Sequence, residues 1–72
     1  MTFKQFARLK RTEAGLSQQA CALALGMSDR AAFLKLESDH YYNYGWSLKN
    51  LLDFARLLGK NASELLAEYE QI

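Results

Sequence analysis

The sequence of 72 residues has no proline, and it has only one cysteine, one histidine and four glycines. A chain without proline has no obligatory helix break, and its leucine- and alanine-rich periodicity is typical of an all-helical protein. The single cysteine, Cys21, excludes an internal disulfide, which fits a reducing compartment. One histidine and one cysteine are too few ligands for a zinc site. We therefore expect neither a metal nor a cofactor.

Long hydrophobic runs are also absent. The longest apolar run, "ACALALGM" at residues 20–27, is far shorter than the roughly 18 residues that cross a bilayer. The N-terminal "MTFKQFARLK" lacks the pattern of a signal peptide. These absences predict a cytoplasmic protein without a membrane segment.

The formal net charge is only +1, but the charges are unevenly distributed along the chain. Residues 1–35 contain six basic and two acidic side chains, a net charge of +4, and residues 36–72 contain three and six, a net charge of −3. A basic half can face a polyanion while the whole protein stays nearly neutral. Ordinary solvated surface charges explain the same distribution equally well.

Five helices are predicted from residues that favour helix ends. The predicted N-caps are Thr2, Ser17, Ser28 or Asp29, Ser47 and Asn61, with capping boxes completed by Gln5 and Glu64. The first, second and fourth helices are expected to end at Gly15, Gly26 and Gly59. The fourth helix is expected to bury one face of Leu48, Leu51, Leu52, Ala55 and Leu58. No linker or repeat divides the chain, so residues 1–72 are expected to form a single domain.

The second and third predicted helices are joined by a short turn in "GLSQQACALALGMSDRAAFLKLE", residues 15–37. Two short helices around a glycine-containing turn are typical of a helix-turn-helix. The sequence here resembles the lambda-repressor/Cro-type (XRE-like) family in "GLSQ" at 15–18, Ala22, "LGMS" at 25–28 and Glu37. The segment "SLKNLLDFARLLGKNASELL" at 47–66 extends the resemblance over nearly the whole chain.

The resemblance implies an all-α, compact five-helix lambda-repressor-like domain with a central helix-turn-helix. It also implies a sequence-specific transcriptional regulator, most often a repressor, that binds a palindromic operator in double-stranded DNA as a homodimer. The helix at residues 29–38 would lie in the major groove. An alternative is a protein-interaction module with the same fold, such as an antitoxin or anti-repressor component that docks a partner protein. No arrangement of nucleophile, base and acid is evident, so we do not expect an enzyme.

The segment from Ser28 to Glu37 has one residue more than the family pattern, which leaves two possible registers for the third helix. Aligning Ser28 would put Lys35 in the core and Phe33 in water. Aligning Glu37 turns Phe33 and Leu36 inward. Burying an unpaired lysine is the costlier choice, so we predict the second register. The outward stripe then consists of Arg30, Ala31, Leu34, Lys35 and Ser38.

This stripe suits the edges of base pairs. Arg30 can donate two hydrogen bonds to guanine, and Lys35 can reach a guanine or a phosphate. Ala31 and Leu34 can contact thymine methyl groups. A solvated helix face is the alternative for the two basic residues.

Further roles follow from the resemblance. Ser17 and Gln18, at a helix N-terminus, correspond to residues that grip a phosphate, and Ser28 and Asn43 are additional candidates for phosphate contact. Arg11 corresponds to an arginine that pairs with Glu37, and this ion pair would brace the third helix.

The segment "SDHYYNYGWS", residues 38–47, contains four aromatic rings and the only histidine. Three roles remain open for it: packing on the core, a dimer interface, and contact with DNA. Tyr44 and Trp46 are the candidates for the dimer interface, since large amphipathic rings often anchor interfaces.

Overall fold

The computed structural model describes residues 1–72, and all of its regular structure is helical. The elements are α1 (Phe3–Glu13), α2 (Gln18–Ala24), α3 (Arg30–Glu37), a 3₁₀ turn (Asp39–Tyr41), α4 (Leu48–Leu57) and α5 (Ala62–Glu70). The Cα radius of gyration is 11.1 Å. The all-α class predicted from the sequence is confirmed. No helix is both long and apolar enough to cross a membrane.

Every α-helix begins at a side chain that accepts a hydrogen bond from a backbone N–H of the first turn. The N-caps are Thr2, Ser17, Asp29, Ser47 and Asn61. Complete capping boxes form at the first and last of them, as predicted. Such a cap satisfies an otherwise unpaired donor and stabilises a helix by about 1 kcal/mol, which explains why local sequence determines these starts.

The turn between α2 and α3 depends on Gly26, whose φ of +72° lies in the left-handed region that favours glycine. After this turn the backbone N–H of Met27 donates to the carbonyl of Ala22 at 2.8 Å. The bond satisfies a carbonyl at the end of α2 and redirects the chain into α3. The glycines predicted to end the first and fourth helices also have positive φ.

One hydrophobic core is shared by all five helices. Its largest fully buried side chains are Phe6, Phe33, Phe54, Leu36, Leu65 and Cys21. Small residues lie between them, and Ala22 is completely buried where α2 meets α3. A small side chain at that point lets the two short helices approach closely.

The predicted apolar face of α4 is partly wrong. Leu48 is 71% and Leu52 43% exposed, whereas Phe54 is fully buried. Residues of an α-helix are separated by about 100° around its axis, so the buried face centres on Leu51 and Leu58 and includes Phe54. Leu52 lies about a quarter turn away from that centre. The leucine pattern therefore indicated a wider buried stripe than the chain itself covers.

Trp46 packs against the core but is only half-buried, so its candidacy for a dimer interface stays a prediction. Its ring lies 5.3 Å from Phe3 and 5.1 Å from Phe54, measured between centroids. Its indole N–H donates to the carbonyl of Leu36 at 2.8 Å. Because a buried indole needs such an acceptor, this bond fixes the chain leading into α4 against the end of α3.

Candidate nucleic-acid interface

The outward face of α3 has the register predicted from the sequence. Phe33 and Leu36 are completely buried, while Leu34 is 40% exposed. Arg30, Ala31 and Lys35 are exposed on the same side as Leu34. The extra residue of this segment is accommodated before the helix, because Asp29 is the N-cap and accepts from the N–H of Ala32 at 3.1 Å.

Arg30 is the first residue of α3, and its guanidinium takes part in none of the salt bridges of the chain. Five donors in a planar fork therefore remain available to an external partner. Leu34, one turn further along, places an exposed apolar surface beside it. The two residues combine a donor fork with an apolar contact on a convex helix, the combination that reads guanine and the thymine methyl group.

Lys35 is less free than the sequence indicated. Its ammonium lies 5.9 Å from the ring centroid of Tyr41 and 5.8 Å from that of Tyr44. Cation–π attraction acts at these distances, so the two rings hold the ammonium on the loop side of α3. The structure thus brings Lys35 together with the aromatic loop rather than with Arg30.

Glu37 is buried and accepts hydrogen bonds from two neighbouring helices. Arg11 Nε donates to its Oε2 at 2.8 Å, and Arg11 Nη2 donates to its Oε1 at 3.1 Å. Gln18 Nε2 donates to Oε1 at 2.7 Å. The predicted pair of Arg11 and Glu37 is therefore present, and it joins the ends of α1, α2 and α3.

The predicted phosphate-contacting residues are not equally available. Gln18 is half-buried, and its amide is already bonded to Glu37, which restricts its reach toward a phosphate. Ser17 accepts from the N–H of Ala20 as the cap of α2, and its own hydroxyl proton remains free to donate. Ser28 and Asn43 are exposed, on either side of α3 in the sequence.

A lysine that sequence reasoning missed organises the aromatic loop. The ammonium of Lys4 donates to the carbonyls of Lys35 at 2.6 Å, of Tyr41 at 2.8 Å and of Tyr44. Burial lowers the pKa of Lys4, partly offset by the nearby carboxylate of Asp39. The acceptors lie 31 to 40 residues along the chain, so no local pattern could have indicated the contact.

Half of the basic side chains in residues 1–35 donate hydrogen bonds to acceptors within the protein. Those bound to intramolecular acceptors are Lys4, Lys10 and Arg11. The remaining ones are Arg8, Arg30 and Lys35, all exposed.

Arg8 was not among the predicted site residues, although it shares a polar face of α1 with Gln5 and Thr12 at helical spacing. That face borders a groove of about 510 Å³ that Leu34 also lines.

Comparison of the chain with known proteins found no matching family model, curated protein or solved structure. The resemblance to the lambda-repressor/Cro-type family therefore stays a prediction, carried by the residues quoted above. No group of three or more histidine, cysteine or acidic side chains is arranged to hold a metal ion.

Proposed function

We propose that this protein is a sequence-specific DNA-binding transcriptional regulator, a repressor of the lambda-repressor/Cro type, acting in the cytoplasm. The observation that carries the proposal is the outward stripe on α3: Arg30, Ala31 and Leu34 are exposed while Phe33 and Leu36 are buried. A short helix held by its inner side and presenting a donor fork beside an apolar contact is suited to the major groove.

The dimensions of α3 support the same function. An α-helix with its side chains is about 10–12 Å across, so α3 can enter the major groove, which is about 12 Å wide. Arg30 at the beginning of α3 would point to base edges, because the N-terminal residues of a recognition helix enter the groove most deeply. In the basic half of the sequence only Arg8, Arg30 and Lys35 are exposed, which implies few phosphate contacts per chain and hence a moderate dependence of affinity on salt.

The direct test is selection of bound sequences from random duplexes, followed by fluorescence anisotropy on the enriched site at several salt concentrations. Arg30→Ala should reduce discrimination between the enriched and a scrambled site by about 1–3 kcal/mol, equivalent to about 5- to 150-fold. Arg56→Ala is the matched control, because Arg56 is 81% exposed on α4 and outside the stripe. Absence of salt-sensitive binding to any duplex would refute the proposal.

A palindromic operator requires two copies of the chain, and an apolar groove of about 500 Å³ beside α4 is available to the second copy. Half-buried Phe3, Trp46 and Leu51 line its inner part. The exposed Leu48 and Leu66 lie at its edge, and they include a leucine that the sequence pattern assigned to the core. A second copy in this groove would explain the exposure of Leu48, although not that of Leu52, which does not line it.

Charge does not oppose such a dimer. Among the residues that line the groove only Lys4 and Asp39 are charged, with opposite signs. A standard interface removes about 800 Å² from each partner, roughly a fifth of the 4499 Å² accessible surface of this chain. Tyr44, the other predicted interface residue, is 39% exposed but does not line the groove. Its ring lies beside Lys35 of α3 instead.

Sedimentation equilibrium at increasing protein concentration tests the dimer independently of DNA. Leu48→Glu should shift the mass toward the monomer, because it buries a charge in the apolar interface. Leu23→Glu is the control, since Leu23 is 66% exposed on α2 and away from the groove. Equal masses for the two variants, or a wild type that stays monomeric at the highest protein concentration, would contradict the second copy.

A second candidate function is that of a protein-interaction module, such as an antitoxin or anti-repressor component, which would use the same groove. The supporting observation is Tyr42, which is 86% exposed at the groove. A partner protein bound in one-to-one ratio, together with no protected DNA, would favour this function. DNA protection that persists without any partner would exclude it as the main role.

A further inference from the structure

The ammonium of Lys35 lies close to two tyrosine rings at the end of α3 that leads into the aromatic loop. We propose that Lys35, Tyr41 and Tyr44 form an anchor for one phosphate of the DNA backbone, in which the tyrosines position the ammonium. The inference rests on the proposed DNA-binding function and chooses phosphate over guanine, the two contacts that the sequence left open for Lys35.

The position of the ammonium is the first support. It lies at nearly equal distances, 5.9 and 5.8 Å, from the two ring centroids. A free lysine loses about 2 kcal/mol of rotamer freedom when it is fixed, and here the rings restrict it before any ligand arrives. Lys35 is five residues after Arg30, about 7.5 Å further along the helix axis. This offset and the two rings together place the ammonium beside the loop, away from the end of α3 that carries Arg30.

The backbone of the same three residues is the second support. The carbonyls of Lys35, Tyr41 and Tyr44 all accept from the single ammonium of Lys4. A further bond, from the N–H of Tyr44 to the carbonyl of Tyr41 at 2.9 Å, closes the loop. The three side chains are thus attached to one fixed backbone cluster. Such a preorganised arrangement lowers the ordering cost of binding.

The available donors are the third support. Neither tyrosine hydroxyl is engaged in a hydrogen bond within the protein, and Lys35 has no salt bridge. One ammonium and two hydroxyls therefore remain as donors on neighbouring side chains. A phosphate offers several acceptor oxygens, and lysine is a point charge better suited to phosphate than to the two-bond reading of a base. Phosphate contacts of this kind fix position without reading sequence.

Four variants separate this anchor from base reading: Lys35→Ala, Tyr44→Leu, their combination, and Tyr41→Phe with Tyr44→Phe. Affinity for the enriched and the scrambled duplex is measured by anisotropy between 50 and 200 mM salt. Lys35→Ala should weaken both duplexes by the same factor and lower the slope of log affinity against log salt by about one. At about 0.9 per phosphate, the wild type should then lose about 3.5-fold more affinity over this salt range than the variant does.

The tyrosine variants test positioning. Tyr44→Leu should reproduce part of the loss, and the combination with Lys35→Ala should add little beyond Lys35→Ala alone. The double phenylalanine variant keeps both rings, so it should retain the wild-type slope and lose only the contribution of the hydroxyls. Arg56→Ala again serves as the control for loss of an exposed cation, and unchanged thermal unfolding of each variant shows that the fold is intact.

The outcomes distinguish the anchor from the function on which it rests. A wild type that binds no duplex in a salt-sensitive manner refutes the proposed function. A wild type that binds, together with an unchanged slope in Lys35→Ala, refutes the anchor alone. A loss confined to the enriched duplex would return Lys35 to base reading, and strictly additive effects of Lys35→Ala and Tyr44→Leu would remove the positioning role of Tyr44.

Discussion

Replacing Arg11 by methionine is expected to destabilise the protein strongly, although it removes only one partner of one ion pair. The side chain of Glu37 is 2% exposed and that of Arg11 13%. After the substitution the carboxylate would keep only the hydrogen bond from Gln18, at 2.7 Å. Breaking a buried pair in this way costs about 3–5 kcal/mol, because an uncompensated charge remains buried.

The cost is large relative to the stability of so small a chain. Domains have about 0.05–0.15 kcal/mol of stability per residue, which gives about 4–11 kcal/mol for 72 residues. A loss of 3 kcal/mol at about 4–8 °C per kcal/mol would lower the melting temperature by at least about 12 °C. Arg11→Met should therefore unfold at far lower urea concentration than the wild type.

Urea unfolding can be followed by the fluorescence of Trp46, the only tryptophan, and by far-ultraviolet circular dichroism. The informative comparison is Arg11→Met combined with Glu37→Leu. Apolar residues of similar volume can replace a buried ion pair with little or no loss, so the double variant should recover most of the stability. Arg56→Met, at an exposed position of the same residue type, should change stability by less than about 0.5 kcal/mol.

Two results would refute this reasoning. A loss below about 1 kcal/mol for Arg11→Met would make the pair equivalent to an exposed salt bridge. A double variant less stable than Arg11→Met would show that Glu37 stabilises the fold without the arginine, for example through the hydrogen bond from Gln18 at 2.7 Å.

Two further predictions concern titratable groups. Burial raises the pKa of Cys21 to about 11. A thiol-specific disulfide reagent at mildly alkaline pH should therefore modify Cys21 only when urea unfolds the chain. Fast modification of the native protein would contradict this prediction. Lys10, and then Lys60, lower the pKa of Glu68 by hydrogen bonding. Ionised Glu68 therefore stabilises the fold fully above the pKa that Glu68 has in the unfolded chain. This stabilisation is lost as the pH falls through the lower pKa of Glu68 in the folded protein. Glu68→Gln should melt below the wild type at neutral pH only, and an equal deficit in strong acid would contradict it.

Helix starts and the register of α3 could be predicted because they depend on local chemistry. The capping box of Thr2 and Gln5 needs only four consecutive residues. The register followed from a comparison between burying Lys35 and burying Phe33, and the large difference in desolvation cost made one choice clear. In both cases the free energy of the predicted arrangement differs strongly from that of the other arrangements open to the same segment.

The errors arose where distant parts of the chain meet. The carbonyl cluster around Lys4 joins residues 31 to 40 positions apart, and the amide of Gln18 binds a carboxylate 19 positions away. Leucine spacing gave the correct helix for α4 but not the width of its buried face, because coverage of Leu52 depends on neighbouring helices. Periodicity reports which residues share a face, whereas burial depends on what that face meets.

Both networks that hold α3 originate on α1 and act on its C-terminal half. Arg11 reaches Glu37, and Lys4 reaches the carbonyl of Lys35 and the loop that follows. The N-terminal end of α3 has only the cap from Asp29 and the packing of its inner face. We therefore expect the phosphate-anchoring end to be rigid and the end that carries Arg30 to adjust to base edges.

Substitution of Lys4 tests this division of roles, because Lys4 reaches α3 only through backbone carbonyls. Lys4→Met removes the donor shared by the carbonyls of Lys35, Tyr41 and Tyr44. Water can replace the ammonium at each carbonyl but does not tie the three together, so the loop should loosen. Affinity should fall equally for the enriched and the scrambled duplex, as for Lys35→Ala, while discrimination by Arg30 persists. Hydrogen exchange of the Tyr44 amide should accelerate. Lost discrimination with a protected Tyr44 amide would instead mean that Lys4 orients the whole of α3, and the two ends would not be independent.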